Sequence, residues 1–251
     1  MSTYAIYFSP TNGTQNVVKA LAGEFGDYKG VDLCSREADT DMTFAQGDVC
    51  IVAVPSYGGR VPAALQRMSG YKGNGAKAIL VVVYGNRAYE DTLRELQDYL
   101  TARDFDCTAA VAAIAEHSIM RQFASGRPND SDKKQLAEFS RQIISKISQN
   151  APREPLKLAG NYPYKDYNGV PLKPKAGKSC TKCALCAKMC PVAAIPADDP
   201  QKTDNSICIS CMRCVSICPA KARKLNALML KVALKGLEKA CSTRKENELF
   251  I

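Results

Sequence analysis

Eight of the chain's twelve cysteines fall within residues 178–220, in two runs of identical spacing. The first reads Cys180-x-x-Cys183-x-x-Cys186-x-x-x-Cys190-Pro191, and the second Cys208-x-x-Cys211-x-x-Cys214-x-x-x-Cys218-Pro219. Each cysteine of the second run lies 28 positions after its counterpart, so the segment is an internal duplication. Thiolates at i, i+3 and i+6 on a tight loop can converge on three corners of one cube, whereas a helix or a strand would spread them apart. This is the spacing of the thiolate runs that hold cubane iron-sulfur clusters, with the cysteine ahead of proline directed elsewhere.

The segment resembles the two-[4Fe-4S] ferredoxins, matching all eight ligand positions and both prolines. In that family the fourth cysteine of each run ligates the other cluster. The resemblance therefore implies one cluster on Cys180, Cys183, Cys186 and Cys218, and a second on Cys208, Cys211, Cys214 and Cys190. Two plainer uses of cysteine fit less well. Structural zinc asks for paired C-x2-C knuckles, not a third cysteine and a Cys-Pro in each half. Disulfides need an oxidising compartment. Met1-Ser2-Thr3 leads straight into an apolar strand, without the basic n-region, h-region and cleavage site of a secretory signal, so a cytoplasmic setting is expected.

At 251 residues, 46% hydrophobic and 24% charged, the chain suits one large or two modest globular domains. No apolar run approaches a membrane span; Leu225 to Leu237 is interrupted by Lys231 and Lys235. The formal charge of +9 is uneven: residues 1–150 hold 16 Lys and Arg against 17 Asp and Glu, and residues 151–251 hold 18 against 8. Eight ligand thiolates and two cubane cores would offset this by roughly −4. Much of the basicity thus balances clusters, and the rest suits an acidic redox partner. No recognition motif accompanies it, so nucleic acid is not an expected partner.

Residues 1–150 alternate strand and helix patterns. The strand former Thr3–Phe8 breaks at Ser9-Pro10-Thr11-Asn12-Gly13-Thr14, after which Val17, Val18, Leu21, Ala22 and Phe25 fall at helical spacing. Further strands are expected at Val31–Leu33, Asp48–Val54, Lys77–Val83 and Phe105–Ala115. Helices are expected from Pro62 to Met68, around Leu93, Leu96 and Leu100 with Tyr89 on the same face, and after a Ser131 cap through Ile147. This predicts an α/β fold: a parallel sheet with helices on both faces. A strand-to-helix loop such as 9–14 favours phosphate through backbone N–H groups and the helix dipole; a hydroxyl-rich cap is the plainer reading.

The loops resemble those of flavodoxins, whose ligand sits beyond the carboxyl ends of the strands. Residues 9–14 are similar to the flavin phosphate loop, with Asn12-Gly13 where the family commonly has Gly-Asn. Gly85-Asn86-Arg87-Ala88-Tyr89 is similar to the Gly-Asp-x-x-Tyr flavin loop, with Asn in place of Asp. The resemblance implies FMN held by Ser9, Thr11, Asn12, Gly13, Thr14, Pro55, Ser56, Tyr57, Gly58, Gly85, Asn86 and Tyr89. Tyr89 would stack on the isoalloxazine, Tyr57 would form the second wall, and backbone near Gly85 and Asn86 would meet its polar edge.

Other features admit two readings. His117, the only histidine, is either structural or a proton donor. Residues 118–129 are long for a turn and suit a lid or a partner surface. Cys34, Cys50 and Cys107 read as buried thiols, and Cys241 lies in the tail. The linker 151–177, with Pro152, Pro155, Pro163, Pro171 and Pro174, cannot be a long helix, and Tyr162, Tyr164 and Tyr167 suit it to pack near the flavin mouth. Residues 222–241 read as a helix so widely apolar that it needs burial.

The expected architecture is a flavodoxin-like domain at 1–150, the linker, a two-[4Fe-4S] ferredoxin-like α+β domain at 178–220, and a helix with tail at 221–251. The whole resembles the fused flavodoxin and ferredoxin proteins of anaerobes. It implies an intracellular electron-transfer protein with two [4Fe-4S] clusters, FMN and an external partner. Lys182, Lys188 and Arg213 are placed to tune the clusters. The alternatives are an FMN-dependent reductase of an organic substrate fed by its own clusters, and a zinc-stabilised nucleic-acid module.

Overall fold

The computed structural model describes residues 1–149 and 154–251; Pro152 and the expected boundary at residues 150–151 lie outside them. Five parallel strands form the sheet: β1 (Thr3–Tyr7), β2 (Tyr28–Asp32), β3 (Val49–Pro55), β4 (Lys77–Tyr84) and β5 (Asp106–Ile114). Their spatial order, β2-β1-β3-β4-β5, is the flavodoxin-like doubly wound order. The chain reverses direction across the sheet between β1 and β3, so a crevice opens at their carboxyl ends. β3 and β4 are buried along nearly their whole length, which explains their unbroken Val, Ile, Leu and Ala runs.

Alternate side chains of these strands feed two cores. On one face, Ala5, Ile51, Ile79 and Val111 meet Val17 and Leu21 of α1 (Gly13–Ala22) and Leu136 and Ile143 of α3 (Asp130–Ser148). On the other, Ile6, Val52, Leu80 and Ala110 meet Leu93, Leu96 and Leu100 of α2 (Thr92–Thr101). The stretch after Pro62 is a 3-10 turn, Ala63–Met68, not an α-helix, but it still buries Leu65 and Met68. The cap of α3 is Asn129, not Ser131. Asn129 accepts from Asp132 N at 3.0 Å while Asp132 accepts from Asn129 N at 2.8 Å, a complete capping box.

Beyond residue 153 the chain stays on the sheet. Leu158 enters the α2-side core, and Asp91 accepts from the backbone of Asn161 and of Lys165, both at 2.8 Å. Two short strands, β6 (Lys175–Ala176) and β7 (Arg223–Lys224), pair antiparallel and bracket the cysteine runs. Between them lie the one-turn helices α4 (Leu185–Lys188) and α5 (Arg213–Ser216), themselves 28 residues apart. The expected helix at 222–241 begins later, as α6 (Ala227–Ser242), with Asn226 accepting from Met229 N. Leu230, Leu234 and Leu237 pack with Met120, Phe123 and Leu172, whereas Leu228, Met229 and Val232 remain exposed. Among the described residues, only one side of its apolar surface is therefore covered.

After α6 the tail adds an unforeseen strand, β8 (Glu248–Phe250), antiparallel to β5. Three residues with no alternation carry no readable strand signal; the polar clamp before them holds them there. Asn247 accepts from Ile114 N at 2.9 Å and donates to Gln135 Oε1 at 2.8 Å. No helix of the described residues is long and apolar enough to cross a membrane.

Candidate flavin and iron-sulfur site

The duplication in sequence is a duplication of backbone. Lys182, Ala184 and Ala193 adopt φ of 56°, 56° and 54°, and their counterparts Ser210, Met212 and Lys221 adopt 55°, 63° and 48°. Each left-handed residue with a Cβ costs about 1–2 kcal/mol. Six of them, repeated in register, turn the loops inward so that the thiols face common centres. Ala194 N donates to Cys190 Sγ and Ala222 N to Cys218 Sγ, both at 3.3 Å.

The thiols sort into two quartets. One void is lined by Cys180, Cys183, Cys186 and Cys218, the other by Cys190, Cys208, Cys211 and Cys214. All are free thiols. No three His, Cys, Asp or Glu side chains converge on a single ion among the described residues. The cysteines stand around voids instead, as ligands spread over the corners of a cube must. A second observation supports an anionic occupant. Among the described residues, the buried side-chain nitrogens left without a partner are Arg223 Nε and Arg213 Nε, and each arginine lines one of the two voids. A buried unpaired N–H costs about 1–3 kcal/mol; sulfide or thiolate would accept from it.

The electrostatics of the two quartets differ. Burial pushes the Cys211 and Cys214 thiols up to about 12. At Cys218 burial is outweighed by backbone N–H groups of Arg223, Ala222 and Ala220, so its thiol lies below the ordinary value. Cys183 is exposed and Cys211 buried. The first quartet thus reaches the surface, and the second adjoins the core beneath the sheet's carboxyl edge.

At that edge lies a cavity of about 880 Å³. Ser9, Thr11, Gly13, Thr14, Pro55, Ser56, Tyr57, Gly58 and Gly85 line it, nine of the twelve expected flavin contacts. The N-terminus of α1 opens on it with no acidic residue in the first turn. Ser9 Oγ accepts from Gln15 N at 2.8 Å, and the N–H groups of Gly13 and Thr14 have no acceptor among the described residues. These are the groups an anion would use. Gly58, at φ 61°, lets the Tyr167 ring approach its backbone, where a Cβ would collide.

Three expected contacts lie elsewhere. Asn12, at φ 68°, precedes α1 and does not line the cavity. Asn86 is buried against the tail: its amide donates to Cys241 O at 2.7 Å and Thr243 O at 2.9 Å, and its oxygen accepts from Lys245 N at 3.2 Å. Those bonds account for Asn in place of Asp, because a carboxylate could not donate to two carbonyls. Tyr89 packs edge-on against Tyr84 at 5.2 Å and donates to Glu248 at 3.3 Å, so it is no wall of the cavity.

Other walls come from the linker and the 118–129 segment, both expected near this mouth or over it, and from α6, whose place was not readable. Tyr167 to Leu172 of the linker, Ile119 and Met120, and the Leu228 to Leu237 side of α6 all face the cavity. They come together only through tertiary packing. His117 also lines it. Its Nδ1 accepts from Ile119 N and Met120 N, both at 3.2 Å. Burial, reinforced by Arg87, holds the imidazole below its ordinary value. The ring is then neutral at pH 7 with its proton on Nε2.

Residues 174–233 match a protein-family model described as a 4Fe-4S dicluster domain. No curated protein matches the chain. Among solved structures, a flavodoxin of Streptococcus pneumonia TIGR4 is similar at 15% identity, with a TM-score of 0.41, 58% of this chain and 99% of that chain covered. A Fusobacterium nucleatum flavodoxin bound to flavin mononucleotide is similar at 17% identity, with a TM-score of 0.38 and coverages of 59% and 98%. The chain joins a flavodoxin-like α/β domain, defined by its strand order, to a ferredoxin-type 4Fe-4S segment. The match at residues 174–233 supports an iron-sulfur redox role.

Proposed function

We propose that the protein links an external redox partner to two [4Fe-4S] clusters and FMN within one chain. The observation that carries this reading is a shared wall: Ile209 lines both the void of the second cysteine quartet and the cavity at the sheet edge. Cys180, Cys183, Cys186 and Cys218 hold one cluster, and Cys190, Cys208, Cys211 and Cys214 the other. When bound, FMN accepts two electrons that clusters supply singly.

The chain's own residues set the geometry. Arg67 spans the halves, donating to Ser35 O at 2.6 Å and Pro191 O at 2.9 Å, and Lys173 Nζ donates to Cys208 O. Tyr57 stands between the cavity and the second quartet, packed on the core that contains Cys211. The first quartet presents exposed Lys178, Lys182, Lys188, Lys221 and Lys224, a surface suited to an acidic partner. Iron, sulfide and FMN assays on anaerobically purified protein test the cofactor content. Stopped-flow reduction then tests the order: cluster bleaching should precede flavin bleaching, and flavin reduced first would reverse the proposed direction of entry.

A further inference from the structure

The face of α6 left bare supplies the next step. Leu228, Met229 and Val232 are 71%, 45% and 67% exposed, and all three line the same 880 Å³ cavity. An apolar cluster on a rim, not scattered, marks a binding surface. Ile119, Met120 and His117 line the same cavity, and His117 Nε2 has no partner among the described residues. The phosphate-binding end, with the α1 N-terminus and the hydroxyls of Thr11 and Thr14, belongs to the same cavity. The cavity thus combines an anion-binding end with an apolar rim that carries one fixed hydrogen-bond donor. A cavity of about 880 Å³ is of small-molecule size, which favours a small molecule over a protein as the species that leaves reduced.

We infer that this rim binds an apolar conjugated carbonyl compound, the terminal electron acceptor, with its carbonyl oxygen on His117 Nε2–H and its hydrocarbon on Met120, Leu228, Met229 and Val232. This rests on the electron-relay reading above. The conjugated C=C takes up two electrons and two protons and becomes a saturated CH–CH unit, while the carbonyl is retained. The electrons come from a strong one-electron reductant of the reduced-viologen class in two single transfers, and the protons come from water. The neutral imidazole polarises the carbonyl without surrendering its charge state, a role that suits a half-buried histidine held below its usual value.

The test is equilibrium dialysis of trans-4-phenyl-3-buten-2-one against oxidised holoprotein, where no turnover occurs, with Leu228→Glu and Val232→Glu alongside the wild type. Both side chains are largely in water, so neither change disturbs the core. Wild-type protein should bind the ketone, and each variant should bind it roughly 10-fold more weakly, the scale of one lost apolar contact. Iron, sulfide and FMN content should stay unchanged. A loaded wild-type protein that does not bind the ketone, or variants that bind it equally well, would overturn the inference and leave the relay standing. Wild-type protein lacking clusters or flavin would instead overturn the relay. If sedimentation shows a dimer that either variant dissociates while dialysis is unaffected, the face joins two copies of this chain, and the inference falls.

Discussion

The two cysteine runs are copies in spacing and in backbone, down to three matched left-handed residues each, yet they stand in different surroundings. The first quartet has Cys183 exposed and lysines around it; the second has Cys211 buried in the sheet's own core and shares Ile209 with the cavity. Duplication made equivalent shells, and docking on one sheet edge made them inequivalent. In the relay proposed above, the outer quartet would face the partner and the inner one the flavin. Replacing one ligand in each should break or sharpen that assignment most. Cys211→Ser and Cys183→Ser should each remove half the iron and sulfide. Cys211→Ser should also slow flavin reduction by more than ~100-fold, beyond the usual cost of an outer-shell partner. Cys183→Ser should hit reduction by a protein donor harder than reduction by dithionite. Equal responses of the two variants to both reductants would remove the distinction.

The arginines test the same contrast more gently. Arg223 is 2% exposed and donates to the carbonyls of Pro174, Pro200 and Lys202, whereas Arg213 is half-buried and reaches Ser9 O at 3.5 Å. Arg223→Met should lower the potential of one cluster and also destabilise the fold by about 1–3 kcal/mol for the carbonyls it orphans. Arg213→Gln should lower the potential of the other cluster and leave the denaturation midpoint nearly unchanged. Spectroscopic redox titration paired with guanidinium unfolding separates the two effects.

How much was readable in advance follows from range. The quartets were visible because each ligand run is local and repeated, and the sheet because buried parallel strands are continuous apolar runs. The loops at 9–14 and 55–58, whose residues line the cavity, were readable because strand-to-helix turns advertise themselves through hydroxyls and glycine. That Asn86 and Tyr89 bond to residues 241–250 was not readable, because those residues lie more than 150 positions away in a segment with no pattern of its own. Likewise the apolar excess of α6 was legible, but not that one side would be covered by Met120 and Leu172 while the other bordered a cavity. Asn86→Ala turns that contact into a measurement. It removes three hydrogen bonds to the tail and should destabilise the protein by about 1–3 kcal/mol. Amide exchange should rise across residues 241–250 while FMN content holds; loss of FMN with a protected tail would restore the role expected of Asn86.

The smallest expected effect concerns the linker that walls the cavity. Asp91, fully buried, accepts from Asn161 N and Lys165 N at 2.8 Å and from the Asn161 amide at 3.0 Å. Burial alone would push its carboxyl up, but these donors, with Arg60, outweigh it and hold the group below the usual carboxylate range. A carboxyl depressed in the folded state contributes stability that is complete above its unfolded value, about pH 4, and that disappears as pH falls through the lower folded value. Asp91→Asn should therefore cost about 1 kcal/mol, a difference constant from neutral pH down to about 5 and shrinking in stronger acid. Unfolding curves of both proteins across that range provide the check. Exchange of the Asn161 and Lys165 amides should rise in the variant, with little change at the exposed quartet. A gap that widens in acid would mean that the linker is held by something other than this carboxylate.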